Sequence, residues 1–233
     1  MAKRAIDENT VAVENQVTKD AETYYLGDPS APLRILALGN SITRHAPKAD
    51  IGWSGDWGMA ASCPQKDYIH RLFEKLCAAG YSCYLCAHQA SRWEHALNEG
   101  KADLSGFSVC RDFGADIAVY RLSENIVDAV SETAYAEALR GLMNFVMPKG
   151  GKAVYTTSFW RKKADSVAQA AARETGMPCV FLGDLGDDPA MKAVGLFEHS
   201  GVAAHPGDAG MEAIAERIFE ALTPLLREAD GAK

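Results

Sequence analysis

Five short apolar runs, separated by stretches of helical spacing, constrain the fold of this chain more than any other feature. They occupy residues 33–38, 81–87, 115–122, 152–157 and 178–182. The first, Leu33-Arg34-Ile35-Leu36-Ala37-Leu38, is closed off by Pro32 and Gly39. A run that short and breaker-flanked reads as a buried strand rather than part of a helix. Between the runs, residues 67–79 place Tyr68, Ile69, Leu72, Phe73, Leu76 and Cys77 at helical spacing, with Asp67 as N-cap and Gly80 as the stop. Segments 92–98, 132–147, 162–175 and 208–226 read as further helices. Strands alternating with helices call for a parallel sheet covered on both faces. Right-handed crossovers make it a doubly wound, three-layer α/β/α sandwich of about five parallel strands.

A chain of 233 residues is long enough for one such domain, which we place at residues 31–229. Residues 1–30 are polar, end in Gly27-Asp28-Pro29-Ser30, and read as a tail or packed arm. Residues 44–66, which contain Trp53, Trp57 and Met59, are too long for a simple connection and read as an inserted lid or binding loop. Its two tryptophans line an acyl or sugar pocket, or else fasten the loop to the domain.

Charge narrows the partners. An excess of 31 Asp and Glu over 24 Lys and Arg gives a net charge of −7, which argues against nucleic acid. No run is long enough to span a bilayer and the N-terminus has no apolar leader, so a cytoplasmic protein is expected. The six cysteines (Cys63, Cys77, Cys83, Cys86, Cys110 and Cys179) are too sparse for a disulfide scaffold and are expected as thiols. Cys83-Tyr-Leu-Cys86 has the spacing of a redox motif but lies inside an apolar run rather than at a helix start.

In an open α/β sheet, ligands bind beyond the carboxyl ends of the strands. There the chain offers Ser41 after the first run, His88 and Ala90 after the second, and Asn125 after the third. His205 joins them from the loop before the last helix. Serine becomes a nucleophile when a positioned base takes its proton, and histidine is the usual base. A side-chain amide and nearby backbone N–H groups stabilise an oxyanion. These are the parts acyl transfer needs. Taken alone, the turn Gly39-Asn40-Ser41-Ile42 also reads as a strand-to-helix junction without chemistry.

Taken in order, these residues resemble the SGNH (GDSL-type) hydrolases. Gly39-Asn40-Ser41-Ile42 is similar to the first block of that family, His88-Gln89-Ala90 to the second, Ser123-Glu124-Asn125 to the third and Ala204-His205-Pro206 to the fifth. The resemblance implies a flavodoxin-like sandwich and a serine esterase or acylhydrolase. Ser41 would be its nucleophile and His205 its base. The oxyanion hole would use the Ser41 backbone N–H, the Ala90 backbone N–H and the Asn125 side-chain amide. Against the family pattern, Ala90 and Ser123 stand where it has glycine, His88 replaces asparagine, Ile126 replaces aspartate, and Val202 replaces the triad aspartate. His205 must then be oriented by the main-chain carbonyl near Val202, by Asp208, or by Glu94 or Glu124 reaching across. Asp208 reads more readily as the N-cap of the last helix.

These readings lead to an esterase, acylhydrolase or O-deacetylase acting on a small-molecule ester or acylated carbohydrate, with Trp53, Trp57 and Trp93 as pocket residues. The alternative is a non-catalytic binding or scaffold protein that keeps the fold, in line with Val202, Ser123 and Ile126. No cofactor or metal is expected. His88 and His95, like His199 and His205, lack the i, i+4 pairing of zinc proteases, and the Ser41 turn lacks a glycine-lysine phosphate loop.

Overall fold

Leu33–Gly39 (β2) shows why the sheet is parallel and buried. In the computed structural model, which describes residues 22–230, Ile35, Leu36, Ala37 and Leu38 are all fully shielded from solvent. Successive side chains leave opposite faces, so Ile35 and Ala37 join one core while Leu36 and Leu38 join the other. Parallel to β2 on either side run Cys83–Gln89 (β3) and Ile117–Tyr120 (β4). Ala153–Thr156 (β5) and Cys179–Val180 (β6) extend the sheet beyond β4.

These are the five parallel strands expected from the apolar runs. A sixth strand, Thr23–Gly27 (β1), pairs antiparallel with β3, giving the order β1-β3-β2-β4-β5-β6. The sheet therefore begins inside the segment read as a tail or arm, whose residues 1–21 lie outside the described residues. Only Leu26 of β1 is buried, so this edge strand carries no apolar run to announce it.

Tyr68–Ala78 (α1) covers one face together with the last helix, Asp208–Asp230 (α8). Ser91–Asn98 (α2), Ser108–Phe113 (α3), Glu132–Val146 (α4) and Asp165–Thr175 (α5) cover the other. Gly183–Asp187 (α6) and Ser200–Ala203 (α7) lie in the connection to α8. Helices α3, α6 and α7 are too short for apolar periodicity to reveal them. Because β3 lies to one side of β2 and β4 to β6 lie on the other, the sheet reverses direction at β2. The crevice at such a switch point opens beyond the strand's carboxyl end, where Ser41 follows.

The 44–66 insert is pinned rather than free. His45 and Lys48 bridge antiparallel to Trp57 and Trp53, and the Arg44 guanidinium clasps Asp56. Trp53, Met59 and Ala60 bury one another against Ala193 and Val202. Trp53 also donates its Nε1–H to the His45 carbonyl, and Trp57 donates its own to the Ala61 carbonyl. Trp53, only 3% exposed, is thus a fastener and not the pocket wall expected of it. The indole N–H of Trp57 is likewise spent inside the loop.

Asp67 joins this insert to α1. Its carboxylate caps the helix by accepting the His70 N–H at 2.9 Å, takes the His70 Nδ1 contact at 2.7 Å and accepts the Gly58 N–H at 3.1 Å. With Asp67 fully buried, its removal leaves those donors without water to turn to. Asp67→Ala is expected to lower the unfolding free energy by about 2–4 kcal/mol, combining a lost cap with buried unpaired donors. Asp67→Asn, which can still cap, should lose less. Urea denaturation of the three proteins measures both.

Candidate active site

Gly39 ends β2 because nothing larger fits there: a Cβ would lie 1.9 Å from Thr43 Oγ1. The chain then turns tightly, the Thr43 and Arg44 N–H groups both donating to the Asn40 carbonyl, at 2.8 and 3.0 Å. Ser41 sits on this turn, and its own backbone N–H donates to no described group. The facing wall comes from late in the chain, where His205 lies between α7 and α8. Its N–H donates to the Val202 carbonyl and its carbonyl accepts the Ala193 N–H, fixing the backbone from both sides. The result is a distance of 2.8 Å between Ser41 Oγ and His205 Nε2.

The second ring nitrogen of His205, Nδ1, is 2.7 Å from the Gly201 carbonyl oxygen. A carbonyl only accepts, so Nδ1 carries the proton, Nε2 holds the lone pair, and the Ser41 hydroxyl donates to it. That is the tautomer a general base needs. The orienting group is a main-chain carbonyl, but it belongs to Gly201 and not to Val202. The Val202 carbonyl is occupied by the His205 N–H, and the Val202 side chain is packed beneath the insert. Asp208 is neither orienter nor N-cap. It is the first residue of α8, and its carboxylate accepts the N–H and hydroxyl of Ser62 at 2.8 and 2.7 Å.

Burial pushes the His205 imidazole down to about pKa 4, with His45 and Arg121 adding to the effect and the Gly201 carbonyl opposing it. The ring is held edge-to-face against Trp160, with centroids 4.9 Å apart, while Trp160 Nε1–H donates to the Ala204 carbonyl. Trp160 is a site residue that the sequence motifs do not single out. Its place just past the carboxyl end of β5 is the signal that points to it.

Behind the turn lies a buried polar cluster, also unassembled from sequence. Arg121 is fully buried and donates to Glu124 Oε1 at 2.5 Å and to Asn40 Oδ1 at 2.7 Å. The other Glu124 oxygen accepts from Asn40 Nδ2 at 2.7 Å. Glu94 accepts the Ser123 N–H at 2.6 Å on one oxygen, and Asn125 Nδ2 at 2.7 Å and Asn40 Nδ2 at 3.3 Å on the other. Desolvation, then the Glu124 charge, raises Glu94 to about pKa 7. Glu124 is raised too, by burial, against the pull of Arg121. Neither carboxylate bonds to His205, which removes both as orienters.

Of the three oxyanion donors that the resemblance implies, one is already taken. The Ala90 N–H is occupied, donating to the Gly39 carbonyl at 2.5 Å. What remain are the Ser41 N–H and the second N–H of the Asn125 amide. Ser123 adopts φ +99°, a left-handed conformation that favours glycine. Its strain is met by the Glu94 contact and by a 3.0 Å hydroxyl contact with Tyr135.

Beside the end of β3, Trp93 lines a cavity of about 300 Å³ with His88, Gln89, Ala90 and Phe107. Among the described residues, no three His, Cys, Asp or Glu side chains are grouped to hold a metal ion, and no helix is long and apolar enough to cross a membrane.

No family model and no curated protein matches the chain. Solved structures do. A variant of Axe2, an acetyl xylan esterase from Geobacillus stearothermophilus, superposes with a TM-score of 0.52 at 15% identity, covering 82% of this chain and 95% of that one. LAE5, an alpha/beta hydrolase enzyme from the metagenome of Lake Arreo in Spain, does so with a TM-score of 0.53 at 17% identity, covering 82% and 95%. TesA gives 0.51 at 14% identity, covering 82% and 99%. The chain shares the α/β fold of these structures.

The geometry makes His205 a neutral base over most of the pH range. Its ring is expected to titrate near pH 4 and to keep its proton on Nδ1 at pH 6, as read by long-range ¹H–¹⁵N correlation. The folded value lies below the ordinary 6.5, so His205 contributes stability that is whole above pH 6.5 and is lost as pH falls toward 4. A midpoint near 6.5 would show the ring to be solvated.

Proposed function

We propose that this protein is a serine ester hydrolase that cleaves a small or carbohydrate-linked acyl ester. The observation that carries the reading is the 2.8 Å contact from Ser41 Oγ to a His205 whose tautomer is set by the Gly201 carbonyl. Ser41 attacks the ester carbonyl as His205 Nε2 takes its proton. The Ser41 N–H and the Asn125 amide stabilise the oxyanion, and the imidazolium returns the proton to the leaving alcohol. Water, activated by the same nitrogen, then releases the acyl group. The name of one structural neighbour, an acetyl xylan esterase, supports an acyl ester on a carbohydrate. A histidine braced by a neutral carbonyl stabilises its imidazolium less than one braced by a carboxylate, but it keeps the productive tautomer.

A fluorophosphonate probe is expected to label Ser41, as mapped by peptide mass spectrometry, and to fail on His205→Ala. Ser41→Ala should lose acetyl-ester hydrolysis by about 10³-fold or more. Folded wild-type protein that takes no label would leave the binding or scaffold reading in its place. Since His205 must be neutral to act, kcat/KM is expected to show its final acid limb near pH 4, below any partial fall near pH 7 where the buried Glu94 carboxyl takes up its proton. Complete loss of activity through a limb near 6.5, with nothing left to titrate near 4, would contradict the neutral His205 base.

A further inference from the structure

The mechanism above leaves Glu94 without a part, although its carboxyl group is completely buried in α2 and accepts a hydrogen bond from Asn40, the residue preceding the nucleophile. All its contacts are accepting ones. Oxygen Oε1 takes the Ser123 N–H, and Oε2 takes Nδ2 of both Asn125 and Asn40. The two asparagines differ in what they have left. Asn40 is fully buried, its amide oxygen held by Arg121 and its amide nitrogen by Glu124 and Glu94. Asn125 is only half-buried, and its side chain bonds to Glu94 alone among the described groups.

A free asparagine amide turns over a broad, roughly two-fold torsional profile. An amide with one N–H captured by a buried carboxylate does not, and its second N–H then keeps one direction. Asn98 secures the same loop from α2, donating Nδ2–H to the Asn125 carbonyl at 2.7 Å and accepting the Val127 N–H at 3.1 Å. Backbone and side chain of Asn125 are thus both anchored to one helix.

Building on the proposed ester hydrolysis, we infer that Glu94 is a positioning residue: it clamps the Asn125 carboxamide so that the remaining N–H is preset for the oxyanion. Donors fixed before the reaction need no reorganisation when charge develops, which is where such sites gain most of their rate. The carboxylate's own charge acts in the opposite sense on a nearby oxyanion. The proposal therefore predicts a sign: positioning outweighs repulsion, and an isosteric neutral side chain slows the enzyme.

The test is a double-mutant cycle on acetyl-ester hydrolysis at pH 8. Glu94→Gln is expected to lower kcat roughly 10- to 100-fold, the range of coupling within one hydrogen-bond network. KM should change less than about threefold, because the ground-state carbonyl makes little use of the donor. Asn125→Ala should lose about 10²- to 10³-fold. The double variant should match Asn125→Ala, since Glu94 acts through that amide. A kcat for Glu94→Gln at or above wild type, or losses that multiply in the double variant, would overturn the inference while leaving the hydrolase intact. Wild-type protein that neither turns over the ester nor accepts the fluorophosphonate would overturn both. If Glu94→Gln does not fold, the wild-type Asn125 side chain still decides. The amide proton on the carboxylate should be shifted downfield and protected from solvent exchange, and two amide protons with the shifts and exchange rates of a free asparagine would overturn the clamp.

Discussion

The architecture of this site depends on the burial of one guanidinium. Arg121 follows β4 with no solvent exposure at all, and taking such an ion out of water costs several kcal/mol unless good hydrogen bonds replace the lost hydration. Glu124 and Asn40 supply them to the two terminal nitrogens, while the buried Nε–H is left without a hydrogen-bond partner among the described residues. Through Glu124 the charge reaches the Phe159 N–H beyond β5, and through Asn40 it reaches the turn beyond β2. Glu94 brings in α2, which follows β3. Four strand ends are thereby held by one cluster of charges and amides, and Tyr68 of α1 closes it from the side with its ring beneath the guanidinium. Breaking a pair of this kind typically destabilises by about 3–5 kcal/mol, comparable with a large share of a domain's total stability. Rigidity at the rim follows from that scale.

The Ser41–His205 pair stands on this base and is built quite differently. Among the described residues, no charged group hydrogen-bonds to His205. A neutral carbonyl fixes its tautomer, an indole fixes its plane, and burial keeps it unprotonated. Polarity is concentrated behind the nucleophile turn, and the base is left in apolar company. That separation lets a buried Arg and two carboxylates coexist with a low-pKa imidazole without a proton being drawn onto it; Arg121 in fact helps to keep the ring neutral.

Much of the fold could be read from the chain because buried parallel strands are apolar on both faces. The runs that became β2 to β6 are visible for that reason. Strand β1 was not visible: it is a half-exposed edge strand with a single buried residue. The Ser41 and His205 pairing was likewise suggested by position, one following a strand and the other preceding a helix at the rim, and the structure brings the two within 2.8 Å. The remainder of the site depends on groups that carry no side-chain signature. Gly201 contributes a carbonyl, and the Ala90 N–H is consumed by another carbonyl, so neither could be decided from residue identity. Arg121 and Glu124 left a trace, a cation and an anion three residues apart at the end of an apolar run. Trp53 misled for the opposite reason. An indole in a long loop suggests a ligand surface, yet here the insert needed a core of its own.

The Gly201 contact also bears on how such a site persists. A carboxylate partner to a catalytic histidine is a separate genetic position, open to loss by a single substitution. A peptide carbonyl is part of the chain's path, supplied by the turn of α7 whatever side chains decorate it. The hydrogen-bonded series then has two heritable side chains, Ser41 and His205, and inherits its third member with the length of the 199–205 segment. Drift in that segment's composition leaves the series of contacts standing. A one-residue insertion or deletion there is the change that dismantles it.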